Sequence, residues 1–172
     1  MNLESKTVRL RLIEENDAGF VLKLRLDKNY NQFLSSVAPS IEAQREWINK
    51  YKSDEQKGAQ YYFIIERLDG VPCGTVRLYD FKGSSFSWGS WILNEDKTRF
   101  AALESAFLVY QFAFEHLEFE KSHFEVRKGN DRVISFHEKM GAFKTGETEL
   151  DYLFEIKKDA VNQTKARLSS KI

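Results

Sequence analysis

The sequence predicts an α/β (α+β) domain in which helices flank a single mixed β-sheet of about six to seven strands. The prediction starts from three successive patterns: a strand over Ser85–Leu93, a long apolar helix over Ala101–Leu117 and a second strand over Ser122–Arg127. Two strands joined through a helix form a βαβ unit, whose strands run parallel. In such units ligands bind beyond the carboxyl ends of the strands, where the helix starts. The polar turn between Leu93 and the helix is therefore the first place to look for a site.

The segment before this unit predicts a strand and two helices. Thr7–Ile13 alternates apolar and charged side chains, which is typical of a strand with one wet face. The acidic stretch Glu14–Asp17 suits the start of a helix that runs to about Leu26. After a polar and aromatic loop, Ser40 is a suitable N-cap for a second helix through about Tyr51.

A hairpin and a second βα unit complete the central region. Gln60–Arg67 and Val71–Asp80 read as strands, and Asp69-Gly70 between them is a strong hairpin signal. Lys82-Gly83 marks the turn into the next strand. A helix opens at Asn130 and closes at Gly141.

Two further strands are predicted at about Ala142–Thr148 and Asp151–Lys157. Residues 159–172 are mostly polar with a basic excess, which is typical of a frayed helix or a mobile tail. We therefore place one domain over residues 1–158, followed by a C-terminal tail over residues 159–172. A chain of 172 residues is large enough to bury more than half of its unfolded surface.

The composition of the chain excludes several classes of function. The formal net charge is zero, so the chain offers no basic field for nucleic acid. A single cysteine, Cys73, excludes an internal disulfide and fits a cytoplasmic location. No apolar run is long enough to span a bilayer, and no histidine or cysteine spacing indicates a metal site. We expect no nucleic-acid partner, no membrane partner and no metal; whether the chain forms a homodimer stays open.

The segment from Ser85 to Phe143 resembles motifs A and B of the GNAT superfamily, the acetyl-CoA-dependent N-acetyltransferases. That family places Gln/Arg-x-x-Gly-x-Gly/Ala at the start of the long helix, where this chain has KTRFAA over residues 97–102. Lys97 keeps a positive charge and Ala102 matches, but Phe100 replaces the expected glycine. The family's later Asn-x-x-Ala-x-x-x-Tyr-x-x-x-Gly-Phe pattern corresponds to Asn130 through Phe143, with His137 in place of tyrosine and Ala142 inserted before the phenylalanine.

The resemblance covers about residues 6 to 158 and implies the GNAT fold, in which the two central parallel strands splay apart. It also implies acetyl-CoA as co-substrate, with the pantetheine arm in the gap and the pyrophosphate at the helix start. Direct attack by the amine in a ternary complex is the implied mechanism. The cofactor-binding residues implied by the match are Trp91, Ile92, Leu93, Lys97, Thr98, Arg99, Phe100, Ala101, Ala102 and Asn130.

Two residues are candidates for proton transfer. His137 stands where the family uses a tyrosine to protonate the departing thiolate, and an imidazole with a pKa near neutrality suits a general acid. Glu125 lies on a strand whose other polar residues, His123 and Arg127, share its face. Such a face lines a cleft, where Glu125 acts as base, directly or through a water, or holds the substrate ammonium. Alternatively, the face is exposed at an edge or carries an internal His–Glu–Arg set of ion pairs.

The front half resembles a branch of the superfamily that acetylates amino groups on nucleotide-linked sugars in surface-glycan pathways. This implies a small-molecule acceptor, with Asn29, Asn31 and Phe33 in the loop that covers it. Tyr79 and Trp88 are candidates for stacking on a sugar or base, and Arg25 or Arg77 for meeting a diphosphate. The alternatives are a ribosomal-protein-type N-terminal acetyltransferase and, because of Phe100, a degenerate member that serves as an interaction module.

Overall fold

A seven-stranded mixed sheet lies at the centre of the computed structural model, which describes residues 2–172. The strands and helices, in chain order, are β1 (Val8–Leu12), α1 (Ala18–Leu26), α2 (Ile41–Gln56), β2 (Tyr61–Arg67), β3 (Pro72–Lys82), β4 (Ser85–Leu93), α3 (Ala101–Gln111), β5 (Lys121–Arg127), α4 (Asp131–Met140), β6 (Phe143–Glu147), β7 (Asp151–Lys157) and α5 (Lys158–Arg167). The predicted fold class and the predicted strands are confirmed. Short 3₁₀ turns precede α1 and follow α5.

The strand order across the sheet is β1-β2-β3-β4-β5-β7-β6. Every neighbouring pair is antiparallel except β4 and β5, which are parallel, as the βαβ pattern predicts. The β2–β3 hairpin turns at Gly70, whose φ of 93° lies in the left-handed region that favours glycine. The parallel pair thus occupies the centre of the sheet, with helix α3 as its connection.

The two faces of the sheet carry different helices. One face packs against α3 and α5 in a large core that includes Val76, Phe86 and Phe124. The other face packs against α1 and α2 in a smaller core around Ile48, Tyr62 and Ile64. Alternating residues of each strand therefore serve either the α3 core or the α1–α2 side.

The sequence predicts a single α-helix from Ala101 to Leu117, but the structure differs. This segment is α-helical to Gln111 and continues as a π-helical turn over Phe112–His116, closed by the Leu117 N–H donating to the Phe112 carbonyl at 3.1 Å. The wider turn rotates the aromatic side chains relative to an α-helix. Phe112 thereby contacts Phe63 at a ring distance of 5.2 Å, and Phe114 contacts Phe86 at 6.0 Å.

Residues 158–167 are not a tail. They form helix α5, whose Val161 is 3% exposed in the large core. The buried Thr164 hydroxyl donates to the carbonyl of Met140 at the end of α4. The predicted boundary at residue 158 is therefore wrong: the packed domain continues through α5.

Candidate active site

The parallel strands β4 and β5 pair only at their first residues, Ser85 with Lys121 and Phe86 with Ser122. Beyond these pairs β5 continues against β7 and β4 continues against β3, so the two strands separate toward their carboxyl ends. We call this separation the strand gap. Along it, the β5-side backbone groups of β4 have no partner strand, and the predicted splay is confirmed.

A β-bulge distorts β4 where it borders the strand gap. Between Thr75 and Arg77 of β3 there is one residue, whereas between their partners Ile92 and Gly89 on β4 there are two. Ser90 within this bulge has a φ of 48°, and its carbonyl accepts a hydrogen bond from the Thr75 hydroxyl at 2.9 Å. Bulges and left-handed non-glycine residues of this kind concentrate beside functional sites.

The start of α3 offers unpaired backbone donors close to the end of β4. The N–H of Ala101 is committed to the Thr98 carbonyl at 3.2 Å, and that of Glu104 to the Phe100 carbonyl at 2.8 Å. Between them, the N–H groups of Ala102 and Leu103 meet no acceptor within residues 2–172. Ala102 is among the predicted cofactor residues, whereas Leu103, whose backbone N–H is equally free, is not.

The side chains around this helix start divide into two groups. Lys97 and Arg99 are exposed, and neither forms an ion pair within the described chain. Phe100 is half-buried outside both cores, with the Arg99 guanidinium 5.1 Å from its ring centroid. The Thr98 hydroxyl instead points inward and contacts that of Thr7 at 2.7 Å. Phe100 thus does not anchor the turn in either core.

Glu104, for which the sequence indicates no role, ties the residue before β1 to this turn. Its side chain is 1% exposed, and its two carboxylate oxygens accept from the backbone N–H of Thr7 at 2.6 Å and from the Thr7 hydroxyl at 2.5 Å. Because both oxygens are engaged, the carboxylate is held by Thr7 although it belongs to the first turn of α3. The N-terminal strand thereby fixes the position of the helix start.

His137 lies on α4 against both strands that border the gap. Its ring centroid is 5.2 Å from that of Trp88 on β4 and 4.3 Å from that of Phe124 on β5. Trp91 and Phe136 complete an aromatic cage. Burial lowers the pKa of His137 to about 3, and its Nδ1 has no hydrogen-bond partner in residues 2–172. The near-neutral pKa expected from the sequence is therefore wrong, because the apolar cage disfavours the charged imidazolium.

Asn130 immediately precedes α4. Its carbonyl accepts from the Ile134 N–H at 3.0 Å, and its own N–H donates to the Arg127 carbonyl at 3.1 Å. Gly141 ends the helix with a φ of 113°. These two positions fix the start and end of the helix that carries His137, and the cofactor contact of Asn130 stays a prediction.

The polar face of β5 is divided among separate partners and forms no internal His–Glu–Arg set. His123 contacts the Ser85 hydroxyl through Nδ1 at 2.5 Å and the Asp80 carboxylate through Nε2 at 3.0 Å. Arg127 pairs with Asp151 at 3.0 Å. Glu125 is exposed and has no ion-pair partner within the described residues, on the face opposite to the one where Phe124 touches His137.

The predicted acceptor loop crosses toward the strand gap. Asn29 and Asn31 lie in a turn that starts at Asp27, whose side chain accepts from the Asn29 N–H at 2.8 Å. Phe33 lies close to Gly129 in the turn between β5 and α4, 3.8 Å from where a Cβ would stand. The loop thus spans from α1 to the β5 side of the gap.

The two predicted stacking residues, Tyr79 and Trp88, face opposite sides of the sheet. Tyr79 is half-buried on the α1–α2 side, with the Arg77 guanidinium 4.4 Å from its ring centroid. Trp88 is 4% exposed in the α3 core, and its indole N–H donates to the Tyr110 hydroxyl at 3.2 Å. The prediction that Trp88 contacts the acceptor is therefore wrong, since its polar and apolar atoms are both used internally.

A cavity of about 360 Å³ lies on the α1–α2 side of the sheet. We call it the α1–α2 cavity; it is lined by Val21, Arg25, Ser35, Ser36, Val37, Ala38, Ala43, Gln44, Trp47, Tyr62 and Arg77. The predicted residues Asn29, Asn31, Phe33 and Tyr79 are not in its wall. Sequence reasoning did name Arg25 and Arg77, but it missed Gln44 and Tyr62, because their nearness depends on α2 packing across β2.

Two further observations concern the residues that the structure describes. Among residues 2–172, no helix combines the length and apolar character needed to cross a membrane. The same residues contain no group of three His, Cys, Asp or Glu side chains placed to hold a metal ion.

Comparison with known proteins defines the class to which this fold and site belong. The family model for the acetyltransferase (GNAT) domain matches residues 7–142. The solved structure of apo FdhC, a nucleotide-linked sugar GNAT, superposes with a TM-score of 0.91 at 50% sequence identity, covering 98% of this chain and 97% of that one. No curated protein matches the sequence.

More distant solved structures share the fold. A GNAT-family acetyltransferase from Bacillus anthracis superposes with a TM-score of 0.77 at 16% identity, covering 92% of this chain and 99% of that one. The spermidine/spermine N-acetyltransferase SpeG from Vibrio cholerae gives a TM-score of 0.76 at 19% identity, covering 91% and 96%.

The chain belongs to the GNAT acetyltransferase family. It is accordingly an acetyl-CoA-dependent N-acetyltransferase.

Proposed function

We propose that this acetyltransferase transfers an acetyl group to the amine of a nucleotide-linked amino sugar, by direct attack in a ternary complex. The single observation that carries the acceptor class is the similarity to FdhC, at 50% identity over 98% of this chain. The superposition covers nearly the whole chain, so the structural similarity is not confined to the acetyl-CoA motifs. The role of this activity would be in the synthesis of surface glycans.

The residues at the strand gap and at the α3 start fit acetyl-CoA. The free N–H groups of Ala102 and Leu103, at the positive end of the helix dipole, would hold the pyrophosphate, with Lys97 and Arg99 adding charge. The backbone of Trp91, Ile92 and Leu93 would pair with the pantetheine arm along the strand gap. Bound acetyl-CoA supplies the acetyl group as a reactive thioester.

His137 would act as a neutral imidazole. With a pKa of about 3 it carries a single proton at neutral pH, on one ring nitrogen. It touches both strands that border the gap, so its one N–H is placed to donate a hydrogen bond to an anion that develops there, such as the departing CoA thiolate. Full transfer of that proton would leave an imidazolate, so the ring would stabilise the thiolate as a hydrogen-bond donor, and the thiolate would take its proton from solvent.

Glu125 would act on the opposite face of the sheet as the base that takes a proton from the attacking amine, directly or through a water. It is exposed, free of ion pairs within residues 2–172, and one residue from Phe124, which touches His137. The hydrogen-bond donor and the base would then lie on the two faces of the sheet at the gap.

The proposed acceptor class is tested with a panel of amines under identical acetyl-CoA. We expect faster acetylation of nucleotide-linked amino-deoxy sugars than of peptides that start with Ser, Thr or Ala. The unlinked amino sugar serves as the matched control and should react poorly, because it lacks the nucleotide. Brisk turnover of peptides with none of the sugars would instead favour the ribosomal-protein type of acceptor.

A further inference from the structure

Two arginines line the α1–α2 cavity, and neither is paired with a carboxylate. None of the residues lining the cavity is acidic, and neither Arg25 nor Arg77 forms a salt bridge within residues 2–172. By contrast, Arg11 is paired with Asp17 and Glu66, and Arg127 with Asp151. The cavity therefore combines two positive charges with no internal neutralisation.

The same two arginines carry buried donors that are unused. The Nε atoms of Arg25 and Arg77 are buried and have no hydrogen-bond partner in the described chain. A buried donor without an acceptor is costly, and more so when it belongs to a charged group. A ligand that offers several anionic oxygens would remove that cost at both residues.

Both guanidinium groups are held in place before any ligand arrives. A terminal nitrogen of Arg25 donates to the Ser35 hydroxyl at 2.9 Å and to the Ser35 carbonyl at 3.1 Å. The Arg77 guanidinium lies 4.4 Å from the Tyr79 ring centroid. The positive charges of Arg25 and Arg77 both counteract the effect of burial, which raises the pKa of Tyr62. Arg25, Arg77 and Tyr62 all line the α1–α2 cavity, and a guanidinium fork suits phosphate oxygens.

An aromatic surface lines the same cavity. Trp47 stacks on Tyr51 with parallel rings 5.6 Å apart, yet its side chain stays 37% exposed. A rigid, partly exposed indole beside a cationic site is suited to stacking on a nucleobase. The volume of about 360 Å³ is in the range of small-ligand sites.

The cavity also lies beside the strand that borders the gap. Arg77 pairs across the sheet with Gly89, next to the bulge residue Ser90 of β4. It is a different place from the α3 start, where acetyl-CoA would bind. A ligand in the cavity and acetyl-CoA can therefore approach β4 from separate sides.

We propose that the α1–α2 cavity binds a nucleoside diphosphate, with the diphosphate between Arg25 and Arg77 and the base on Trp47. Within the proposed function, this group is the nucleotide part of the acceptor. The assignment of that group rests on the proposed acceptor class, whereas the binding itself can be measured without any acetyl transfer.

The test is calorimetric titration of the unliganded protein with dTDP and UDP, with thymidine, uridine and inorganic pyrophosphate as partial probes. We expect one of the two diphosphates to bind at least tenfold more tightly than its nucleoside and than pyrophosphate. Arg77→Gln and Arg25→Gln should each weaken that binding about 10- to 100-fold, as loss of hydrogen bonds to a charged group predicts. Arg45→Gln, at an exposed residue of α2 paired with Glu42, is the matched control and should bind like the wild type.

The variants also separate this inference from the proposed function. Acetyl-CoA affinity should be unchanged in Arg77→Gln, which checks that the variant is folded. Diphosphate binding that depends on both arginines supports the inference even if no amino sugar is acetylated. Diphosphate binding that is unchanged in both variants, no tighter than nucleoside binding, or competitive with acetyl-CoA would overturn it, even if amino sugars are good acceptors.

Discussion

At the scale of single residues, burial decides what His137 can do. The aromatic cage leaves it 5% exposed, with no partner for Nδ1 in residues 2–172. A histidine on a helix surface would titrate near its ordinary pKa of about 6.5 and would be partly charged at neutral pH. In the cage the neutral form is strongly favoured, so at neutral pH the imidazole offers one N–H as a hydrogen-bond donor. That state stays the same across the neutral pH range.

His137→Phe should lower kcat about 10²-fold, in the range that loss of a hydrogen-bond donor to a developing anion costs, while the protein remains folded because phenylalanine suits the cage. His137→Tyr should retain more activity, since it restores an acidic O–H. Steady-state kinetics with saturating acetyl-CoA measures the effect. Unchanged turnover in the phenylalanine variant would remove His137 from the reaction.

The same substitution has a second, independent readout in the pH dependence of stability. The folded-state pKa of His137 is lowered to about 3, below that of the unfolded chain. The unfolded state therefore binds the proton first, and this stability is present above about pH 6.5 and lost as the pH falls toward 3. Between pH 8 and pH 5 the wild type should lose about 2 kcal/mol more than His137→Phe in urea unfolding. Equal losses in the two proteins would mean that His137 titrates normally.

At the scale of elements, the start of α3 is set by its neighbours more than by its own sequence. Glu104 binds Thr7 of the N-terminal segment, Thr98 contacts the same threonine, and the Phe100 ring lies under Arg99 outside both cores. The backbone N–H groups of Ala102 and Leu103 remain free in spite of the missing glycine. The Phe100 side chain therefore packs locally at the surface and leaves these backbone donors free.

Acetyl-CoA should raise Tm by about 5–10 °C when present at about a hundred times its Kd, because binding to the folded state alone contributes about 2.7 kcal/mol. CoA should give nearly the same shift, and adenosine a much smaller one. Phe100→Gly should keep the shift and most of the stability of the free protein, since glycine is tolerated at an N-cap. A shift that appears only in the glycine variant would mean that Phe100 blocks the phosphate position.

At the scale of the whole molecule, the two faces of the sheet carry different features. Its α3 side carries the large core and the His137 cage, and its α1–α2 side carries the cavity with Arg25 and Arg77. The strand gap joins the two sides. The domain that holds this arrangement extends through α5, since Val161 belongs to the large core.

Val161→Ala should cost about 2 kcal/mol, because it removes two buried methyl groups from that core. For a domain of this size the loss lowers Tm by about 4–8 °C. Thermal unfolding measures it, and Gln163→Ala, at an exposed position of the same helix, is the matched control and should change Tm little. Equal Tm values for the two variants would mean that residues 158–172 are a tail that does not pack on the domain.

The sequence alone determined the strand and helix order, the parallel pair at the centre and the family resemblance. These follow from local information: the apolar period of Ala101–Gln111, the Asp69-Gly70 turn, and motif residues at fixed spacing. It also named Arg25 and Arg77 as residues suited to a diphosphate. It misjudged residues 158–167, because a helix with one or two buried positions leaves too weak a period to detect.

Only the tertiary structure decided the protonation state of each side chain and the residues that contact it. The sequence placed His137 by its motif, but its pKa depends on Trp88, Trp91 and Phe124, which come from other elements. Side chains alternate between the two faces of β4, and this directs Trp88 into the core. Glu104 binds Thr7, although the two residues are 97 positions apart in the sequence. Burial, charge balance and unpaired donors arise from contacts between distant segments. A local pattern in the sequence therefore cannot specify them, although it specifies the elements that make those contacts.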